Sequence, residues 1–211
     1  FGAPYRKMLY CFTHLFVQDN RSKELLEQYG IRNVTVYGDT RFDRVLDVRN
    51  QARELPEVER FVGKRSLTLI AGSSWPQDEE ILIPYFNEHP EMKLIIAPHE
   101  IHREHLMYIE SLLKRPAVRL SDVMQDKSLL EGKDCLIVDS FGLLSSIYRY
   151  GTIAYIGGGF GAGIHNTLEA AVYGIPVLFG PRFQKFKEAR DLIKVGGGFS
   201  VASKDEFVAK M

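Results

Sequence analysis

Short apolar segments rich in β-branched residues alternate along the chain with segments of helical character. The strand candidates are Val34–Tyr37, Leu67–Ala71, Lys93–Ala97, Leu136–Asp139, Ile153–Ile156 and Pro176–Phe179, with Leu15–Val17 as one further strand. Most of them are nearly continuous in apolar residues, which is typical of strands buried on both faces. The helical candidates are Arg21–Tyr29, Gln77–Glu88, Ile101–Lys114, Phe141–Tyr150, Thr167–Tyr173, Phe183–Lys194 and a helix from Ser203 onward. This alternation requires crossover connections and predicts an α/β fold: a mostly parallel sheet with helices on both faces.

The composition excludes several classes of protein. The 211 residues suffice for one full domain and a piece of a second. Lys and Arg (27) balance Asp and Glu (27), so no excess of positive charge favours a nucleic-acid partner. Only Cys11 and Cys135 are cysteines, which argues against a disulfide framework or a cysteine zinc site. The longest stretch without Asp, Glu, Lys or Arg, Tyr150–Leu168, contains six glycines and does not have the character of a membrane span.

The residues that follow each predicted strand are the first candidates for function. In parallel α/β sheets, ligands bind beyond the carboxyl ends of the strands. These positions are Gly72–Ser74, Pro98–Glu100, Asp139–Ser140, Gly157–Gly163 and Gly180–Arg182. We therefore expect a binding site built from these five loops.

The glycine-rich segment Gly157–Gly163 is the strongest local signal. It follows a predicted strand and opens a predicted helix, so its backbone N–H groups and the helix dipole favour an anion such as phosphate. It fits neither the GxGxxG dinucleotide fingerprint nor the P-loop, since no Gly-Lys-Ser/Thr follows. The alternative is a strained strand-to-helix loop that binds no ligand.

Several polar side chains near these loops have two interpretations each. Ser73 and Ser74 either donate to a phosphate or cap the next helix. Asn166 and Glu169 have the spacing of a helix cap with its N3 acid, and Glu169 is equally placed to accept hydrogen bonds from ribose hydroxyls. The cations that flank the last loop either attract the anionic ligand or are simply solvated: Arg182 and Lys185.

Three histidines at intervals of three residues raise the question of a metal site. The spacing of His99, His102 and His105 drifts off one helix face, and the HExxH motif is absent. We therefore predict no metal site, and we expect two of the three to be ordinary surface histidines. His99 is different because it directly follows a strand and Pro98, which places it toward the site.

Four segments resemble the 3-deoxy-D-manno-octulosonic acid (Kdo) transferase family. They are Val36–Asp43, Ala71–Ser74 with the downstream pair Glu79-Glu80, Ile156–Ala171 with its His165-Asn166-x-x-Glu169 block, and Pro176–Pro181. The resemblance covers nearly the whole chain. It implies the C-terminal half of a GT-B fold, with a Rossmann-like parallel sheet.

The resemblance also implies that two domains have different functions. Residues 1–20 would be the tail of the N-terminal domain or an interdomain segment, and residues 21–211 a CMP-sugar-binding domain truncated at its C-terminus. The donor CMP-Kdo would be a substrate, with no cofactor and no metal. The absent N-terminal domain would bind the acceptor, the lipid A precursor, and supply the catalytic base, so this chain alone would be inactive. The parent protein would work at the cytoplasmic face of the bacterial inner membrane, whereas this fragment would be soluble.

The strand-end positions and the resemblance together give the predicted substrate site. Its residues are Ser73, Ser74, His99, Asp139, Ser140, Gly142, Gly158, Gly159, Gly163, His165, Asn166, Glu169, Arg182 and Lys185. The glycine loop would hold the phosphate, Glu169 the ribose, and Asp139–Gly142 the nucleobase side. Arg182 or Lys185 would stabilise the departing CMP. Many family members have Pro-Arg-His where this chain has Pro98-His99-Glu100, so His99 and Lys185 are the candidates to replace that arginine.

Three alternatives stay open at this point. One is another GT-B member, a UDP-sugar transferase or epimerase, and nucleotide preference would separate it from a CMP-sugar enzyme. Another is a nucleotide-binding module without turnover. A dehydrogenase is the most remote, because the dinucleotide fingerprint is missing.

Overall fold

The computed structural model describes residues 2–63 and 67–211. These residues form two compact units, and the chain divides between Asp47 and Val48. The predicted boundary after residue 20 separates two domains of the longer protein, and it stays a prediction. The division in the structure falls later, because a strand before residue 20 pairs with a strand after it.

The first unit is a small two-stranded parallel arrangement. Its strands β1 and β2 pair in a register that sets Leu15 opposite Val34. The Asp19 carboxylate accepts from Ser22 N at 2.8 Å and caps the helix between the strands. The elements are α1 (Ala3–Leu9), β1 (Leu15–Val17), α2 (Asn20–Gln28), β2 (Val34–Val36) and α3 (Thr40–Asn50), the last of which runs across the division.

The second unit contains a seven-stranded sheet in which every strand pair is parallel. Its strands are β3 (Leu67–Ser74), β4 (Met92–Pro98), β5 (Ala117–Arg119), β6 (Cys135–Ile137), β7 (Ile153–Ile156), β8 (Val177–Phe179) and β9 (Gly198–Ser200). The spatial order is β5-β6-β4-β3-β7-β8-β9. The predicted parallel α/β fold is therefore confirmed, and it has the topology of a Rossmann-like domain.

Helices cover both faces of this sheet, and each face has its own core. Alternate residues of β3 point to opposite sides: Ile70 packs in one cluster with Val58 and Phe61, and Leu69 in the other with Phe86. The helices are α4 (Pro56–Val62), α5 (Pro76–Glu88), α6 (Arg103–Leu112), α7 (Leu120–Gln125), α8 (Leu144–Ile147), α9 (Leu168–Ala171), α10 (Lys187–Lys194) and α11 (Lys204–Lys210), with 3-10 turns at Lys127–Leu130 and Tyr148–Tyr150. Within the described ranges, no helix has the length and apolar character that a bilayer crossing requires.

Three predicted helices are shorter in the structure than their sequence patterns suggest. The segment predicted from Phe141 begins as a helix only at Leu144, because Gly142 adopts a left-handed φ of 81°. The segments predicted over Thr167–Tyr173 and Phe183–Lys194 contain only α9 and α10. Helix α11 starts as predicted, with Ser203 Oγ accepting from Glu206 N at 3.2 Å.

Candidate functional site

The strand order reverses direction at the centre of the sheet. From β3 the chain proceeds to β4 on one side, whereas β7 pairs with the other side of β3. At such a switch point the loops after the two strands separate and leave a crevice where ligands bind. Here those loops are the start of α5, at Trp75, and the glycine loop Gly157–Gly163.

A fully buried carboxylate, Asp78, joins these two loops. Its Oδ2 accepts from Trp75 N at 3.0 Å and from Gly158 N at 2.9 Å, and its Oδ1 accepts from the Tyr155 hydroxyl at 2.8 Å. Burial raises the pKa of Asp78, while the three hydrogen bonds partly oppose that rise. Asp78 therefore fixes the glycine loop against the first turn of α5.

The backbone at the end of β3 is also fitted closely to the glycine loop. Ser73 has a φ of 53°, the one positive value among non-glycine residues of the described ranges, and it lies where the register of β3 against β4 shifts. Gly157 N donates to Gly72 O at 2.9 Å, and a Cβ on Gly157 would lie 2.2 Å from Ser73 O. Only glycine fits at position 157.

Three aromatic rings form a column at this edge of the sheet. Trp75 stacks on His99 with centroids 4.6 Å apart, and His99 stacks on His165 at 4.5 Å. Trp75 Nε1 donates to His165 Nε2 at 3.2 Å, which requires Nε2 to be unprotonated. Burial, with the nearby charge of His99, lowers the pKa of His165, so its ring is neutral at pH 7.

Two cavities open beside this column. The larger, about 530 Å³, lies between the start of α5 and the glycine loop, with His165 in its wall. The smaller, about 230 Å³, is lined by Ser73, His99, Ser140 and Gly142 among others. The structure thus brings seven predicted site residues to the two cavities: Ser73, His99, Ser140, Gly142, Gly158, Gly163 and His165.

Asn166 and Glu169 form a pair at the start of α9. Asn166 Nδ2 donates to Glu169 Oε1 at 3.0 Å, and Asn166 Oδ1 accepts from Leu168 N at 3.1 Å. Asn166 therefore precedes the cap residue, which is Thr167, instead of being the cap itself. Asn166 is exposed and Glu169 half-buried, so both side chains are accessible to a ligand.

Two predicted polar contacts are already engaged within the protein. Ser74 is buried, and its hydroxyl donates to Glu79 Oε1 at 2.8 Å. The Ser74 hydroxyl therefore does not point at a ligand, which differs from the prediction. Asp139 accepts from Ser121 N at 3.0 Å and also from the Ser121 hydroxyl, so its carboxylate caps α7. The order of the strands explains this, because β6, which ends just before Asp139, pairs with β5, which leads into α7.

The remaining predicted residues lie around the glycine loop and the end of β8. Gly159 packs its backbone against Gly180, with no room for a Cβ on either residue. Arg182 N donates to Gly159 O at 2.9 Å, and its guanidinium donates to Gly161 O. Arg182 is exposed at the loop, and Lys185 is exposed further along the chain.

The histidines after β4 differ from the prediction. His105 is buried, with Nε2 2.9 Å from Glu79 Oε2 and Nδ1 donating to Glu100 O at 2.8 Å. It is therefore not a surface histidine. The potential ligand atoms of Glu100, His102 and His105 lie within 4.8 Å of one another. Within the protein, both His105 nitrogens have hydrogen-bond partners, Glu79 and Glu100.

Sequence reasoning missed Trp75 and Asp78 as site residues. Trp75 is the single tryptophan of the chain and directly follows the Ser73-Ser74 strand end, which was the available signal. Asp78 gave no signal, because its partners Tyr155 and Gly158 come from a distant part of the sequence.

Comparison with known proteins gives a consistent set of relatives. The chain is 34% identical over 149 residues to the 3-deoxy-D-manno-octulosonic acid transferase of Aquifex aeolicus, covering 68% of this chain and 40% of that protein. It is 26% identical over 212 residues to the enzyme of the same name from Rickettsia felis, covering 98% and 45%. A bifunctional glycosyltransferase/methyltransferase of Fusobacterium nucleatum is 30% identical over 213 residues, covering 96% and 32%. The chain thus spans less than half the length of these relatives. No protein-family model matches it.

A solved structure shares the fold. It is the C-terminal CMP-Kdo binding domain of WaaA from Acinetobacter baumannii, with a TM-score of 0.58 and 22% identity over 80% of this chain and 85% of that domain. The parallel sheet, its switch-point crevice and the glycine loop define a Rossmann-like ligand-binding domain. The sequence relatives show that the chain is homologous to Kdo transferases over most of its length.

Proposed function

We propose that this chain is the CMP-Kdo-binding domain of a GT-B glycosyltransferase that transfers Kdo to the lipid A precursor. The observation that supports it most is the crevice at the switch point, where Asp78 holds the glycine loop beside a cavity of about 530 Å³. Relatives named as Kdo transferases match 68% and 98% of the chain. We also propose that the parent protein acts at the cytoplasmic face of the bacterial inner membrane.

The proposed chemistry places anion stabilisation in this domain. A hydroxyl of the acceptor forms a bond to the anomeric carbon of Kdo, and the bond from that carbon to the phosphate oxygen breaks. CMP leaves with the electron pair as a phosphate anion. The exposed cation Arg182, at the glycine loop, is assigned to stabilise that charge.

The nucleoside is assigned to the other side of the ring column. Ser73, His99, Ser140 and Gly142 line the smaller cavity, and Glu169 accepts hydrogen bonds from the ribose hydroxyls. In this proposal CMP-Kdo is a substrate, and the domain has no resident cofactor or metal. The catalytic base belongs to the N-terminal domain, so this chain binds the donor without transferring the sugar.

A transfer assay on the longer protein tests this function. CMP-Kdo and a lipid A precursor are incubated with the parent protein, and mass spectrometry detects the acceptor with added Kdo. We expect product with the parent protein and none with the 211-residue chain. Product from this chain alone would contradict the assignment of the base to the other domain. Transfer from a UDP-sugar instead would contradict the assignment of the donor.

A further inference from the structure

One wall of the larger cavity consists of residues that are not part of the predicted substrate site. Trp75, Pro76 and Gln77 form this wall at the start of α5. The opposite wall is the glycine loop over Phe160–Gly163, and Asp78 and Gly158 lie where the walls meet. Trp75 and the glycine loop therefore line the same space of about 530 Å³.

The Trp75 indole is held in place by three separate contacts. Its backbone N–H donates to Asp78, its Nε1 donates to His165, and its ring stacks on His99 with an interplanar angle of 24°. A ring fixed in this way loses little conformational entropy when a ligand packs on it. Aromatic side chains are common in the lining of small-molecule sites, where they pack against the ligand.

The stack of Trp75 on His99 also separates the two cavities. Trp75 lines the larger cavity and His99 the smaller one, and the two cavities share no lining residue. A ligand with two chemically different ends, joined near His165, would therefore place one end in each cavity. The volumes favour the bulky eight-carbon sugar acid in the larger cavity and the flat pyrimidine in the smaller one.

The glycine loop supplies hydrogen-bond donors for an acidic sugar. Among the residues the structure describes, the backbone N–H groups of Phe160 and Ala162 have no acceptor. The Arg182 guanidinium lies at the same loop, since it donates to Gly161 O. Such N–H donors, with a cation nearby, bind an anionic group such as a carboxylate or a phosphate.

On the basis of the proposed donor-binding function, we propose that this cavity holds the sugar part of the donor and that Trp75 determines its specificity. The electron-rich indole face packs against the C–H face of the sugar ring. The N–H groups of Phe160 and Ala162 bind the sugar carboxylate from the opposite wall.

Fluorescence tests this inference directly, because Trp75 is the one tryptophan in the sequence. The emission of the chain is recorded during titration with freshly prepared CMP-Kdo and, separately, with the methyl ester of CMP. The ester keeps the phosphodiester but lacks the sugar. We expect CMP-Kdo to shift or quench the emission, and the ester to bind without doing so. An equal emission change with both ligands would overturn the inference, because the nucleotide would then occupy the cavity.

Calorimetry on variants gives the second readout. In the wild-type chain we expect CMP-Kdo to bind about tenfold more tightly than the methyl ester. In Trp75→Ala that ratio should fall to about two or less, whereas Trp75→Phe should retain most of the wild-type ratio. Loss of affinity for both ligands by the same factor, or no loss for either, would overturn the assignment. If the wild-type chain binds neither ligand, both the proposed function and the sugar subsite are contradicted. Binding of the ester by the wild-type chain shows that the nucleotide site is present, so a failure of the sugar subsite alone can be recognised.

Discussion

At the scale of single residues, the pair formed by Asn166 and Glu169 tests the proposed ribose contact. The Asn166 amide orients the Glu169 carboxylate at 3.0 Å, and both side chains are accessible. Removing a charged hydrogen-bond acceptor weakens binding by about 1.5–3 kcal/mol, roughly 10- to 100-fold in affinity. We expect Glu169→Ala to weaken CMP binding by this factor and Asn166→Ala by less.

The control for this prediction is Glu104→Ala, which removes an exposed carboxylate at the start of α6. It should leave CMP affinity within about twofold of the wild-type value. Calorimetry measures all three variants, and circular dichroism verifies that each is folded. Unchanged affinity in both Glu169→Ala and Asn166→Ala would contradict the site assignment.

His165 gives a prediction about pH. Burial lowers the pKa of this histidine in the folded state, so the unfolded chain takes up the proton more readily. The stability that His165 contributes while neutral is therefore fully present above the unfolded value of about 6.5 and is lost as the pH falls below it. We expect the wild-type chain to lose more stability than His165→Gln between pH 7.5 and 5.5. Urea denaturation at the two pH values measures this, and equal losses would contradict the assignment of a neutral His165.

At the scale of elements, Asp78 couples helix α5 to the glycine loop. Asp78→Ala would leave the buried Gly158 N–H and the Tyr155 hydroxyl without their acceptor, and each such loss costs about 1–3 kcal/mol. Asp78→Asn keeps an oxygen for the two N–H groups and removes the buried charge. We expect Asp78→Ala to lower the free energy of unfolding by about 2–5 kcal/mol, and Asp78→Asn to change it by less than about 1 kcal/mol at pH 5.

The pH dependence of the same residue provides a separate check. Because burial raises the pKa of Asp78 in the folded state, this group lowers stability as the pH rises above its unfolded value of about 3.9. The free energy of unfolding of Asp78→Asn, measured relative to that of the wild-type chain, should therefore be higher at pH 7 than at pH 4. Urea denaturation at both pH values measures the difference, and a difference that does not change with pH would contradict the buried ionised carboxylate.

The glycine loop offers a matched pair of substitutions. A Cβ at Gly157 would lie 2.2 Å from Ser73 O, whereas at Gly161 the nearest atom, Gly158 O, would be 3.6 Å away. We expect Gly157→Ala to destabilise the chain by about 3 kcal/mol or more and Gly161→Ala to stay within about 1 kcal/mol of the wild type. Thermal and urea unfolding measure both. Similar effects of the two substitutions would contradict the close packing of the loop on β3.

The sequence predicted the central elements well and the peripheral ones poorly. Strand β7 was predicted with its observed bounds, because it is a continuous apolar run in the centre of the sheet, with three of its four residues buried. The strands at the two edges of the sheet, β5 and β9, were missed. Each has three residues and no fully apolar run, so their strand geometry comes from pairing with β6 and β8.

The site was predictable at the strand ends and not in its supporting contacts. His99 and Ser73 follow strands, so their place beside a cavity follows from the fold class. The roles of Asp78, Ser74 and His105 depend on partners brought together only by tertiary folding. Pairings such as Asp78 with Gly158 and Glu79 with His105 have no periodicity or motif in the sequence.

At the scale of the whole molecule, the chain matches less than half the length of each of these relatives. Its second unit, Val48–Met211, contains the complete switch point, the ring column and both cavities. We therefore expect this chain to bind the donor by itself, and we propose that transfer of the sugar needs residues outside it.

The most direct test of this account is a calorimetric titration of the chain with CMP, repeated with UMP, UDP and NAD as competitors. The account predicts that CMP binds to one site and that none of the three competitors displaces it at equal concentration. Displacement of CMP by UDP or NAD, or tighter binding of either than of CMP, would contradict a CMP-sugar donor site.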